Sequence, residues 1–210
     1  MNKIIKAIDK IFLYDSLWFY ISIFLDRILY LIFYKYYYKC KFGFYGKNIR
    51  WGKHGAFFII PNNIRLSNVE KIFIYDNVQI DDYCYIQIHH NGKKLIIKEG
   101  TRINSFSTIQ AYSSITICEN VLIAPYTHIN SGNHGFSDVK QPIMFQNYEK
   151  SGEIFIGKGC WIGRNSHILG GTTIKDNCVV AANAVVTKSF KEKNLILAGI
   201  PAKIVRIIKK

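Results

Sequence analysis

Along most of this chain the branched apolar residues return at every sixth position. Ile97, Ile103, Ile109, Ile115 and Val121 form one series, and Ile156, Ile162, Ile168, Ile174 and Val180 a second. Four places after most of them stands a small residue: Thr101, Ser107, Ser113, Cys160, Ser166, Thr172, Cys178 and Ala184, with Glu119 and Pro125 as exceptions. A period of six suits neither a helix nor a simple alternating strand. It predicts a short strand and a tight corner, repeated, so that three units close one triangular coil. The aliphatics then point inward and stack on their equivalents one coil away, about 4.8 Å along the axis. The small residues fit inside the corners. Gly157, Gly163, Asn165, Asn177 and Asn183 are placed where the corners need glycine or asparagine. In this register Gln110 and His128 face the same way on adjacent coils, and Gly92 lies two coils before His128.

The departures from the period outline the organisation. Ile74 and Ile80 begin the coil, and HHNGKK at 89–94 breaks its register. Residues 130–153 carry no repeat although both flanks do, so they leave the coil as an extruded loop, and loops of that length are commonly functional. The expected fold is all-β, a parallel β-helix over 46–189. An N-terminal helical segment covers 1–45, and a C-terminal segment, 190–210, caps the last coil and its open strand edge. The aromatic segment 1–40 has two readings: packing on the body or a neighbouring copy, or peripheral contact with an anionic membrane. Its longest uncharged apolar piece, 16–25, is too short to cross a bilayer, and no cleavage site follows it.

Charge narrows the partners. The 210 residues carry a net charge of +14. Residues 1–53 hold ten basic and three acidic groups and 188–210 hold seven and one, so the body between is almost neutral. A continuous nucleic-acid stripe is therefore not expected. Five cysteines (40, 84, 118, 160 and 178) include no C-x-x-C pair, which argues against a disulfide framework or zinc ribbon and suits a reducing, cytoplasmic setting. Cys84, Cys160 and Cys178 fall at inward positions and read as core fillers.

Among six histidines, His134 stands in NHGF, just inside the extruded loop. A loop histidine on a rigid scaffold is well placed to accept a proton near neutral pH. The stretches VLIAPYTHINSGNH (121–134), WIGRNSHILGGTTIKDNCVVAANAVVTKS (161–189) and AGIPAKIVR (198–206) resemble the hexapeptide-repeat acyltransferases, in particular galactoside and maltose O-acetyltransferases. That resemblance implies a left-handed helix, a homotrimer and acetyl-CoA as co-substrate, with no metal. It sets His134 on the family's catalytic base and Asn104 on its substrate-contacting asparagine. It sets Trp161, Gly163, Ala182, Thr187, Lys188, Lys203 and Arg206 on coenzyme-contacting positions. Lys203 replaces an arginine found in some members, and Arg164 stands where a small residue is common. The implied acceptor is a hydroxyl of a carbohydrate, of the kind used in surface polysaccharide or lipopolysaccharide, and a membrane-leaning N-terminus fits a lipid-linked one. Asp138 and Glu153 are candidate partners for His134. Phe136, Met144, Phe145, Gln146, Tyr148 and Glu149 are candidate acceptor contacts.

Three other readings compete. A gamma-class carbonic anhydrase needs three histidines between subunits, and their spacing is not met by His128 and His134. Amino-sugar N-acetylation would use similar machinery. A non-catalytic scaffold would not require His134, Asn104 and Trp161 together.

Overall fold

The computed structural model describes residues 44–52, 57–58, 71–89 and 92–209. The segment expected to be helical, with its membrane reading, lies outside these residues except at its end, where Phe44–Tyr45 already form a strand. Among the described residues no helix is long and apolar enough to cross a membrane.

Short strands wind through three faces in strict rotation. The first face holds six strands, from Phe44–Tyr45 to Thr173–Ile174, and the third holds six, from Phe57–Phe58 to Val185–Val186. The second holds eight, from Arg50–Trp51 to Lys203–Ile207. Pairing within each face is parallel until the last strand, Lys203–Ile207, folds back antiparallel on Leu195–Ala198 and covers that edge. The bore is filled by stacked aliphatics: Ile97, Ile117, Ile156 and Ile174 along one line, and Ile103, Ile123, Ile162 and Val180 along the next, all 0% exposed. Each such side chain contributes about 1.5–3 kcal/mol on burial. Cys84, Cys160 and Cys178 are buried among them as fillers. Burial pushes the Cys84 thiol up to about 11. The neighbouring Cys178 thiol, then burial, push the Cys160 thiol up as well, and its Sγ donates to the Lys175 carbonyl at 3.1 Å.

The first aliphatic series does not continue as the sixfold spacing suggests. Ile115 pairs with Leu95 and Ile117 with Ile97, so the main inward line runs 97, 103, 109 and then 117, 123, 129. The corner after Thr108–Ala111 is two residues longer than the repeat allows. Ile115 and Val121 therefore sit on the neighbouring line, with Thr127, and Glu119 and Pro125 never occupied the small inward slot. The same slip moves the polar positions: His128 pairs with Thr108, and Gln110 pairs with Asn130 rather than facing His128.

Corner chemistry also divides in two. Asn165, Asn177 and Asn183 adopt φ of 53°, 55° and 59°, in the left-handed region that asparagine tolerates. Gly157 and Gly163 do not. They are required by contact: a Cβ on Gly163 would lie 2.6 Å from the Ala182 nitrogen and the Val180 oxygen of the next coil.

Candidate active site

His134 ends the strand Gly132–His134, which pairs antiparallel with Tyr148–Lys150, so the extruded segment is a β-hairpin rather than an irregular loop. His134 lies opposite Tyr148, with ring centroids 4.3 Å apart. Tyr148 rests on Tyr112 (5.3 Å) and on His89 (5.5 Å), which stack on each other at 4.6 Å. His89 is buried, whereas His134 and Tyr148 are exposed. Burial, then Tyr148 and Tyr85, push the Tyr112 phenol up. Gly132 carries no side chain because a Cβ there would overlap the Tyr112 ring. Ser131 Oγ accepts hydrogen bonds from the Tyr112 and Ser113 amides at 3.0 and 2.9 Å, tying the hairpin base to the corner below.

Neither expected carboxylate serves His134. The Asp138 side chain accepts from the Lys140 amide at 2.9 Å, and among the described residues no carboxylate lies within ion-pair distance of the His134 ring. Gln146 instead closes the hairpin tip, donating to the Asp138 and Gln141 carbonyls at 2.8 Å each. Tyr112 and His89 escaped sequence reasoning. The signal available was the register break at 89–94, which falls at the same corner as the hairpin.

The other predicted residues divide between two corners. On the second face Arg102, Leu122, Trp161, Val179, Ile196 and Arg206 are successive partners, so Trp161 and Arg206 share one outward column three strand spacings apart, roughly 14 Å. Trp161 is 50% exposed. Asn104 opens the adjoining corner, where the following coils carry only Ala124, Gly163 and Ala181, side chains that leave the strip shallow. A cleft of about 360 Å³ at this corner is lined by Tyr126, Arg164, Asn165, Ala182 and Asn183. Lys203 pairs with Ala198 beside the same column. Thr187 and Lys188 lie elsewhere. They follow Val185–Val186 into the corner that carries the His134 hairpin, and Lys188 lines a second cleft of about 240 Å³ with Phe190 and Ile204. The expected site residues thus fall into two groups on either side of a third face three or four residues wide, roughly 10–13 Å.

Residues 153–188 match the family described as bacterial transferase hexapeptide (six repeats). The chain is 33% identical over 151 residues to the galactoside O-acetyltransferase of Escherichia coli K12, covering 69% of this chain and 68% of that one. The chain belongs to the hexapeptide-repeat transferases. A further relative is the E. coli K12 protein named lipopolysaccharide biosynthesis O-acetyl transferase WbbJ, 33% identical over 141 residues, spanning 64% of this chain and 60% of that protein. Among solved structures, the polysialic acid O-acetyltransferase OatWY matches with TM-score 0.58 and 26% identity over 77% of this chain and 72% of that one. The coil is accordingly the left-handed β-helix of the hexapeptide-repeat transferases.

Proposed function

We infer that this hexapeptide-repeat transferase moves acetyl from acetyl-CoA to a carbohydrate hydroxyl, with His134 as general base. The observation that carries the reading is the exposed His134 held on a pinned hairpin, one face away from the Asn104–Trp161–Arg206 strip. His134 takes the proton from the acceptor hydroxyl, whose oxygen attacks the thioester carbonyl. The carbon–sulfur bond breaks, and the departing thiolate receives the proton. Asn104 holds the acceptor by hydrogen bonds. Trp161, Gly163 and Ala182 line the pantetheine path, and Thr187, Lys188, Lys203 and Arg206 meet the polar and phosphate end. Because His134 and Asn104 lie on different corners, a second copy completes the site, and closed threefold packing supplies one such junction per chain. The relatives' names refer to galactoside, lipopolysaccharide and polysialic acid, which supports a surface glycan acceptor. The four described cysteines are free, which supports a reducing cytoplasmic setting, at the inner membrane face where the glycan is lipid-linked.

Titration calorimetry tests the reading. Wild type should bind acetyl-CoA at one site per chain, and His134→Ala should bind it equally while losing ~10²–10⁴ of turnover. Absence of saturable binding, or wild-type turnover in the variant, sinks it. A product labile to hydroxylamine identifies an ester, and a resistant one the amide of an amino sugar.

A further inference from the structure

His128 and His167 stand at partnered positions on adjacent coils of the third face, with ring centroids 5.7 Å apart. They alternate with the buried Ile129 and Ile168, so both rings point outward, and both are half-buried. The strands packed on them bring no compensating charge. Thr108 and Gln110 lie one coil before, Asn130 and Leu169 beside the pair, and Val185 one coil after. The only other titratable side chain on the described strands of this face is Tyr85, one coil below Thr108. One flanking corner adds Tyr126 and Arg164, the guanidinium 4.8 Å from the Tyr126 ring. The other adds Tyr112, the hairpin's His134, Glu149 and Lys150, and then Lys188. Among the described residues no carboxylate lies within ion-pair distance of either imidazole.

We propose that the third face is the seam along which copies of this chain meet, and that His128 and His167 make the seam acid-sensitive, so that their protonation separates the copies. The inference rests on the reading that the His134 corner of one copy works with the Asn104 corner of the next. Those two corners bound the third face, so closed threefold packing through them turns this face of every copy toward the common axis. The middle of the face then lies nearest the axis, where two imidazoles from each copy converge. Neutral rings suit that setting, since they stack and can both donate and accept hydrogen bonds among Gln110 and Asn130 side chains. Protonated rings do not, because like charges would crowd a water-poor seam with no carboxylate to pair them. Burial, then His167, already hold the His128 imidazole below its ordinary value within one chain, and packing against a second copy buries it further. Separated chains therefore take up the protons first. The seam is complete above about pH 6.5 and is lost as the pH falls from there through the assembled value. Separation leaves each chain with one part of the shared site, so transfer stops while the coil itself stays folded.

The test follows the full chain by sedimentation velocity from pH 8.0 to 5.0, with far-UV circular dichroism to report whether the coil stays folded. Assembly is read in place of turnover, which depends on His134 as well. Wild type should pass reversibly from a multi-chain species to single chains between about pH 6.5 and 5.5. With one proton taken up per chain, the association constant of a three-copy assembly should fall about 10³-fold per pH unit in that range. His128→Gln and His167→Gln should each stay assembled to lower pH, and the double variant should stay assembled to pH 5.0. His134→Ala, at the edge of the face, should separate as wild type does. A wild type still assembled at pH 5.0, a double variant that follows the wild-type curve, or a pH dependence removed by His134→Ala overturns the proposal. Separation that comes only with loss of the dichroism signal also overturns it. Where the double variant does not assemble at pH 8.0, the single variants decide: separation at the wild-type pH in both overturns the proposal, and separation at a lower pH in either supports it. A wild type that is a single chain at pH 8.0 is a separate result and removes the shared-site reading itself.

Discussion

Side chains in this coil meet across adjacent turns at fixed, close spacing, so single atoms carry large consequences. At Gly163 the obstacles to a Cβ are backbone atoms of the next coil, which cannot swing aside. Gly163→Ala should therefore destabilise the fold by about 1–3 kcal/mol, read from the denaturation midpoint. His128 shows the electrostatic counterpart. Burial, then His167 with its ring 5.7 Å away, holds the His128 imidazole below its ordinary value. The unfolded chain takes up that proton first, so the contribution is complete above about pH 6.5 and is lost as the pH falls from there through the folded value. Between pH 7.5 and 5.5 the melting temperature of wild type should drop more than that of His128→Gln. Equal drops would show that other groups govern this window.

Three insertions into the repeat fall at the same corner on successive coils: the segment containing His89 and Gly92, the lengthened Tyr112–Ser114 corner, and the hairpin. Because the coils stack, irregularities far apart in sequence become a platform, with His89 and Tyr112 beneath Tyr148 and Tyr148 against His134. The hairpin adds little to the core, so its order should matter to turnover more than to stability. Tyr148→Ala should lower kcat about tenfold or more with a small change in melting temperature, whereas Tyr148→Phe keeps the ring and should retain kcat. Equal losses in both variants would point to the phenol oxygen instead of packing.

For the whole molecule, the proposed function has the His134 corner of one copy and the Asn104 corner of another share the chemistry. Mixed assemblies of His134→Ala and Asn104→Ala chains should regain about a quarter of wild-type activity, since random pairing joins intact halves at that frequency. Either variant alone should remain impaired. No recovery on mixing would place the complete site within one chain.

The period, the corner asparagines, the buried cysteines and the place of His134 just inside the extruded segment were all legible in the order of residues. A hexad needs only local backbone geometry, and that geometry repeats whichever coil it belongs to. The slip at Tyr112–Ser114 was not legible, because Ile115 and Val121 satisfy the sixfold count while sitting on the neighbouring line. Which residues face one another depends on the accumulated length of every coil, and two extra residues shift all that follows. The packing of Tyr148 on His89 and Tyr112, the seat of Arg164 on Tyr126 and the division between two corners of the residues expected to meet the coenzyme depend on how separate coils stack. Folding alone brings them together, since the stacking of coils, and not neighbourhood in sequence, decides what each side chain meets.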